Sequence, residues 1–518
     1  MNTPRRLLQS SEDVALFDDE TTRRIERRAA AALPEHALMA RAGVALLRLA
    51  RATTPHARTV WVAAGPGNNG GDGLVLATWL HRAGVATTVT LVGHRADRPL
   101  PPDAAWALAE ARRAGVALRA DIPAPDELAR VELAIDALLG VGQSRAPEGA
   151  VAAAVDALNG LGAPVLSVDA PTGLSTGTGK QLGAAVVRAT HTLTLLTAKP
   201  GLFTGAGREV AGELWFDDLG VTPGDTDWPT AVLTGSRAVA ACLPRRRHLA
   251  NKGSFGDVHV AGGAAGMVGA SLLAAHAASL AGAGRVLVHA HSSDAGGVLP
   301  VDVRHPELML RPVAELQSAV RANAKATLVA GCGGGDDVVA ELPGCVSNAS
   351  RLVLDADALN AIARDTGLRE HVRTRGAGGR PTILTPHPLE AARLLGTTVD
   401  TVQADRLAAA RRLAAELGAV VVLKGSGTLV AAPDGRVAVN PTGDARLATA
   451  GTGDVLAGWI GGLWSAQPAT PAATEQAFQV ARAAAWLHGR ACDFAIGDRL
   501  PIVAGELAAL MARAAATL

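Results

Sequence analysis

Four short stretches of this chain set acidic or amide side chains on glycine-rich backbone, the combination that anion binding and proton transfer call for. The first is Gly65-Pro66-Gly67-Asn68-Asn69-Gly70-Gly71-Asp72-Gly73, between the apolar run Val60 to Ala64 and a helical pattern from Leu74 to Ala83. Glycines let backbone approach an anion, a helix start offers unpaired amides, and Asn68, Asn69 and Asp72 add oriented polar groups, so the stretch reads as a phosphate cradle. A bare strand-to-helix turn needs none of those three side chains. Two more stretches follow strand-like runs: Asp136 with Gly140-Val141-Gly142-Gln143-Ser144-Arg145, and Asp169-Ala170-Pro171-Thr172-Gly173. Either alone could be an Asp capping a helix or a Thr in a turn. Ligands of open parallel sheets collect at the carboxyl ends of strands, and all three stretches would stand along one such edge.

Asn69, Asp136 and Thr172 offer only oxygen donors there, which suits a hard cation, and with so few carboxylates a monovalent one. Asp169 is then left for work on the ligand itself, as a proton-transfer base. The fourth stretch, Thr449-Ala450-Gly451-Thr452-Gly453-Asp454-Val455-Leu456-Ala457-Gly458, puts an aspartate at a helix start behind a glycine loop. The amides of Gly451 to Gly453 can stabilise a transferring phosphoryl group while Asp454 takes the proton of an attacking hydroxyl. The plain alternative for Asp454 is a helix cap, but no P-loop lysine motif competes for the phosphoryl role.

Such residues need a scaffold, and the pattern supplies one twice. Strand candidates Thr87 to Val92, Val131 to Asp136, Pro164 to Asp169 and Thr190 to Leu195 alternate with helical runs, the signature of a parallel sheet covered on both faces. Asp19 to Ala32 and Ala37 to Ala50 read as two helices packing on one edge. The pattern breaks between about Val221 and Val239, placing one domain at 1–225 and another at 235–518. The second half then supplies strand candidates Asp257 to Ala261, Arg285 to Ala290, Ala326 to Ala330, Arg351 to Leu354, Pro381 to Thr385 and Ala419 to Leu423. A hairpin turning at Pro433-Asp434-Gly435 follows.

A length of 518 residues implies more than one core, and 48% apolar with 19% charged residues supports packed globular domains. Aromatics are 3% and tyrosine is absent, so Ala, Val and Leu must build the interior. A net charge of +1 gives no reason to expect nucleic acid or an anionic membrane as partner. Cys242, Cys332, Cys345 and Cys492 lack zinc or disulfide spacing; with no signal-peptide pattern and no long apolar span, a cytoplasmic protein is expected.

The motifs Ala64 to Gly73, Asp136-Ala137-Leu138-Leu139-Gly140-Val141-Gly142 and Val168-Asp169-Ala170-Pro171-Thr172-Gly173-Leu174 resemble those of the NAD(P)HX epimerase family. Leu38-Met39-Ala40-Arg41-Ala42-Gly43 and Lys199-Pro200-Gly201-Leu202 extend the likeness. The resemblance implies a Rossmann-like domain that interconverts the C6 epimers of hydrated nicotinamide cofactor, with potassium at Asn69, Asp136 and Thr172. Asn68, Asn69, Gly70, Gly71, Asp72, the segment Gly140 to Ala146, and Asp169 would touch the hydrated dinucleotide.

In the second half, Lys252-Gly253-Ser254-Phe255-Gly256, Asp355-Ala356-Asp357-Ala358-Leu359-Asn360, Thr385-Pro386-His387-Pro388-Leu389-Glu390 and Val422-Leu423-Lys424-Gly425-Ser426-Gly427-Thr428 surround the Gly-Thr-Gly-Asp loop. Together they resemble the ribokinase-like superfamily and, within it, the ADP-dependent NAD(P)HX dehydratases. That resemblance implies an αβα sandwich in which Lys424, Gly425, Ser426, Gly427, Thr428 and Gly453 hold ADP, accompanied by Mg2+. Ala270, Gly335, His387 and Asp454 would contact the hydrated cofactor, with Asp454 the activating base. Standing alone, His387 would read as a structural turn histidine.

The expected whole is a bifunctional repair enzyme for NADHX and NADPHX, assembled as a homo-oligomer. A ribokinase-like kinase of a small hydroxymethyl heterocycle fused to a nucleotide-binding module is the alternative enzyme, and a dinucleotide-sensing first half the non-enzymatic one. Four departures from the family patterns stand out: Ala40 for an acidic residue, Thr172 for serine, Gly331-Cys332-Gly333-Gly334-Gly335 for Gly-Pro-Gly-Leu-Gly, and Gly443-Asp444-Ala445-Arg446 for Gly-Asn-Pro-Gly. Thr172 keeps its hydroxyl, the third departure is expected to loosen its loop, and the fourth to bear on nucleotide preference.

Overall fold

Runs of Val, Ile, Leu and Ala bounded by glycine or polar residues form strands buried on both faces. A computed structural model describes residues 3–95, 97–291, 301–323, 325–497 and 499–518. The chain packs as two units, one comprising Val14–Ala231 with residues up to Ser10, the other Val232–Leu518 with Ser11–Asp13.

In the first unit the strands run in the order Arg5–Arg6, Glu213–Asp217, His191–Leu195, Val165–Val168, Leu133–Ala137, Thr59–Ala64, Ala86–Leu91 and Ala117–Arg119. All neighbours are parallel except the first pair. Successive residues of the central strand serve opposite faces. Val60 and Val62 join a core with Leu46, Leu49, Leu74 and Leu193, while Trp61 and Ala63 join Val155 and Leu158 on the other side. Fully buried leucines such as Leu46 and Leu74 each contribute roughly 2–3 kcal/mol of transfer free energy. The helix Ala37–Thr53 therefore lies over a sheet face and not on an edge as its position ahead of the strands suggests, because Met39, Ala42, Leu46 and Leu49 form its apolar stripe.

The second unit carries a larger sheet in the order Met309–Arg311, Arg285–Ala290, Asp257–Gly262, Thr327–Ala330, Arg351–Leu354, Thr382–Leu384, Val420–Leu423, Leu429–Ala431 and Val437–Val439. Strands are parallel up to Val420–Leu423, and the hairpin that follows is antiparallel. Helices Val268–Leu280, Thr452–Ser465 and Ala473–Arg490 cover one face and Val338–Asn348 and Arg406–Leu417 the other, an αβα sandwich. Helix Thr452–Ser465 is buried nearly all round, with Trp459 and Trp464 inside. A Cβ on Gly458 or Gly462 would strike the backbone of Ala274 and Ala278, so glycine lets this helix lie directly on its neighbour. Among the described residues no helix is long and apolar enough to cross a membrane, and no disulfide forms.

Candidate active sites

The first site sits where the strand order of the first unit turns outward from its centre, at the carboxyl ends of Thr59–Ala64, Leu133–Ala137 and Val165–Val168. A cavity of about 1250 Å³ opens there. Asn68, Asn69, Asp72, Gly140 to Ala146 and Asp169 line it, as the sequence suggests. Gly70 and Gly71 do not. Residues 68–72 are the first turn of helix Asn68–Arg82, so Gly70 faces inward, where a Cβ would overlap the Gly65 carbonyl oxygen. The glycine is there for protein packing and not for an anion.

Asp136 and Thr172 are fully buried beneath the cavity. The Asp136 carboxylate accepts from Thr172 Oγ1 at 2.7 Å, Ser167 Oγ at 2.8 Å, Thr172 N at 2.9 Å and Leu138 N at 3.3 Å. Burial lifts its pKa and these donors oppose the rise, but no cationic side chain among the described residues joins them. The side-chain nitrogen of Asn69 is buried without a partner, so its amide is free to reorient. An uncompensated buried carboxylate, a hydroxyl and an unsatisfied amide fit a hard monovalent cation.

Asp169 adopts φ +66°, a left-handed conformation that aspartate tolerates better than most residues. The buried Lys199 ammonium donates to Asp169 Oδ1, with Leu195 N at 3.0 Å and Thr194 Oγ1 at 3.3 Å also donating. Desolvation and the carboxylates of Asp169, Glu26 and Asp103 push Asp72 well above the usual carboxyl range, with Lys199 opposing. Glu26 is raised for the same reasons, burial first and Asp169 next. The cavity thus holds an ion-paired carboxylate beside carboxyls biased toward the neutral form, a base and acids facing one space. Gln143 ties two loops of the site together, since its Oε1 accepts from Gly173 N at 2.6 Å and its Nε2 donates to Leu139 O at 3.1 Å.

In the second unit Gly451 caps helix Thr452–Ser465 and places Asp454 in its first turn, where burial and then the Asp355 carboxylate raise its pKa to about 6. Lys424, just after Val420–Leu423, donates through Nζ to Asp355 Oδ1 at 2.7 Å. Burial alone would lower its pKa, but Asp355 and Glu390 outweigh that and raise it. A Cβ at Gly453 would stand 3.1 Å from Lys424 Nζ, so the glycine loop and the ion pair are neighbours. The Lys424–Thr428 loop closes on itself through Thr428 Oγ1 to Gly425 O at 3.0 Å. Ala270 faces Gly333 across the Gly331–Gly335 loop, and Gly335 N donates to Asp357 Oδ2 at 2.8 Å.

His387 caps helix Pro388–Leu395: its Nδ1 accepts from Leu389 N at 3.1 Å, and its own N donates to Glu390 Oε2 at 2.8 Å. The structural reading of this histidine is therefore realised, with the ring half-exposed. Glu390, buried beneath it, rises to about 7.

Residues 35–201 match the family model described as YjeF-related protein N-terminus, and residues 258–511 match that of NAD(P)H-hydrate dehydratase. The bifunctional NAD(P)H-hydrate repair enzyme Nnr of Escherichia coli (strain K12) is 37% identical over 477 residues, covering 91% of this chain and 88% of that protein. The chain belongs to the bifunctional NAD(P)H-hydrate repair enzymes. The enzyme of that name from Coxiella burnetii is 36% identical over 488 residues, 92% of this chain and 94% of its own. The ADP-dependent (S)-NAD(P)H-hydrate dehydratase of Neisseria meningitidis serogroup B is 46% identical over 271 residues, 51% of this chain and 85% of that protein. A likeness to repair enzymes that runs through both halves favours that reading over a small-molecule kinase joined to an unrelated module.

Two of the departures from the family pattern have partners in the structure. The Gly331–Gly335 loop is tied to flanking backbone, with Gly263 N donating to Cys332 O at 3.1 Å and Ala264 N to Gly333 O at 2.7 Å. The Arg446 guanidinium donates to Asp444, to Cys492 O at 3.0 Å and to Gly497 O at 2.6 Å. Lys199, Glu26 and Asp355 are site residues that sequence reasoning passed over as such. Lys199 and Asp355 lie inside the family motifs, but their partners are 30 and 69 residues away.

Proposed function

We propose that this chain repairs hydrated nicotinamide cofactor in two steps, the Val14–Ala231 unit epimerising C6 of NADHX and NADPHX and the Val232–Leu518 unit dehydrating the S form with ADP. The observation that carries the second step is Asp454, a base at a glycine-loop helix start beside the Lys424–Asp355 pair. C6 hydroxide is a poor leaving group. Asp454 takes the hydroxyl proton as oxygen attacks the terminal phosphoryl of ADP, AMP departs, and a C6 phosphoester forms. The ring nitrogen then expels phosphate, and loss of a C5 proton restores the double bond of the reduced cofactor. Lys424, Ser426 and the amides of Gly451 to Gly453 support the phosphoryl group, with Mg2+ accompanying the nucleotide.

In the first unit C6 is a hemiaminal carbon, so either face becomes accessible once its ring C–N bond opens. Asp169, kept paired by Lys199, accepts the hydroxyl proton, while a neutral carboxyl such as Asp72 supplies one to nitrogen. Closure on the opposite face inverts C6. Asn69, Asp136 and Thr172 would hold potassium, which would balance the buried Asp136 charge. A cytoplasmic location accords with four free thiols.

The test supplies mixed epimers with ADP or ATP and follows reduced-nicotinamide absorbance. Complete recovery supports both steps, recovery that stalls partway removes the epimerase assignment, and no recovery with either nucleotide defeats the reading.

A further inference from the structure

The cavity of the first unit, about 1250 Å³, exceeds the roughly 300–1000 Å³ of ordinary small-molecule pockets and has room for both halves of a dinucleotide. Which half lies where follows from the sheet. Numbered in chain order from Thr59–Ala64, the first six parallel strands stand side by side as 3-2-1-4-5-6, the arrangement that binds dinucleotides across the gap between 1 and 4. Asp169 and Lys199 follow the fifth and sixth strands, which puts the nicotinamide end on that side and the adenosine end over the second strand, Ala86–Leu91. The turn after Ala86–Leu91 is tied to the glycine loop, since Val92 N donates to Ala64 O at 2.8 Å and His94 Nε2 to Gly65 O at 3.0 Å. It brings Gly93, Arg95 and Arg98 to the cavity wall.

In a sheet of this kind the loop after the second strand meets the adenosine ribose, either through an acidic side chain that accepts from a free 2′-hydroxyl or through an arginine that takes a 2′-phosphate. Here Val92-Gly93-His94-Arg95 offers no carboxylate. The first one after the strand, Asp97, does not line the cavity and is held by Arg95, whose Nε and Nη2 donate to it at 2.9 and 2.7 Å. That two-point pairing orients the guanidinium and, among the described residues, leaves its Nη1 without a partner. It is also the only ion pair of this loop among the described residues, so the Arg98 charge is uncompensated there. Arg98 N donates to Arg95 O at 3.2 Å, and one turn thus carries both cations. We propose that Arg95 and Arg98 form a subsite for the 2′-phosphate of the adenosine ribose, so that the first unit epimerises NADPHX in preference to NADHX. The proposal rests on the assignment of this cavity to hydrated dinucleotides. Both side chains are exposed, so water and salt screen the attraction and a moderate preference is expected.

The experiment measures initial rates of epimer exchange for each hydrate separately, using the full chain without ADP. Wild type should show kcat/KM for NADPHX about tenfold above that for NADHX. Arg95→Ala combined with Arg98→Ala should erase the preference by raising KM for NADPHX, with kcat kept and KM for NADHX within about twofold of wild type. Arg95→Lys combined with Arg98→Lys should keep part of it, since the charges remain without the planar fork. Adenosine 2′,5′-bisphosphate should inhibit exchange by wild type more strongly than AMP does, and the two should inhibit the double alanine variant alike. Equal kcat/KM for the two hydrates in wild type overturns the proposal, as does an alanine variant that loses both hydrates in equal measure. Absence of exchange of either hydrate by wild type would instead remove the epimerase assignment on which it rests.

Discussion

Asp454→Asn should cost the enzyme its dehydration and make its second unit more stable. At neutral pH the wild type holds two carboxylates, Asp355 and Asp454, around one buried ammonium. The Asp454 pKa rises from 3.8 to about 6 on folding, mainly by burial. That rise corresponds to roughly 3 kcal/mol of folding free energy withheld, the Lys424 attraction included, and since an amide does not reproduce all the carboxylate's hydrogen bonds about 1–2 kcal/mol is the expected gain from asparagine. The sign follows from proton binding. Between 3.8 and about 6 the folded state holds the extra proton, so stability declines as pH rises through that window, and the penalty is complete above it. Asparagine escapes this penalty. Calorimetry at pH 7 should show the second unit of Asp454→Asn melting about 2–6 °C higher, the gap narrowing toward pH 4, while ADP-dependent recovery falls about 100-fold or more. A variant less stable than wild type at pH 7, or a gap that persists in acid, would refute the desolvation argument. Retained recovery would refute the assignment of Asp454 as base.

Lys199→Met leaves Asp169 buried without its cation; epimer exchange followed by chromatography should stop, and urea unfolding should show a loss of about 3–5 kcal/mol. Arg23 lines the first cavity with its guanidinium over Gly142, on the loop expected to hold the dinucleotide. Arg23→Ala should therefore raise KM for the hydrates about tenfold with kcat unchanged, Arg23→Lys giving part of it back, as initial rates of exchange will show. Gly70→Ala drives a methyl into the Gly65 carbonyl and should destabilise the first unit by about 1–3 kcal/mol, read from its melting transition, with dehydration intact.

Most strands were legible because their apolar runs are short, continuous and bounded by glycine or polar residues. Glu213–Asp217 escaped notice: its Glu-Leu-Trp-Phe-Asp sequence has charged ends and becomes a strand by pairing with His191–Leu195. Ala117–Arg119 and Met309–Arg311 are three-residue edge strands, too short to show a period. Residues 68–72 read as loop because two glycines and two asparagines are poor helix formers, yet packing of Gly70 and Gly71 against the protein makes them a helical turn. His387 shows the converse, a residue whose capping role could be read from His-Pro-x-Glu spacing alone.

The sequence by itself determined the kinds of chemistry present: oxygen donors at strand ends, a glycine-loop aspartate, and two alternating α/β halves to carry them. Those depend on local residue order, which a reader of the chain can see. Tertiary structure alone decided the partners of those groups, by placing Lys199 on Asp169 and Lys424 on Asp355, and how strongly burial biases Asp72 and Asp454 toward the protonated form. Coulomb energy and desolvation depend on distance through space and exposure to water, and neither is written in the spacing of residues along the chain.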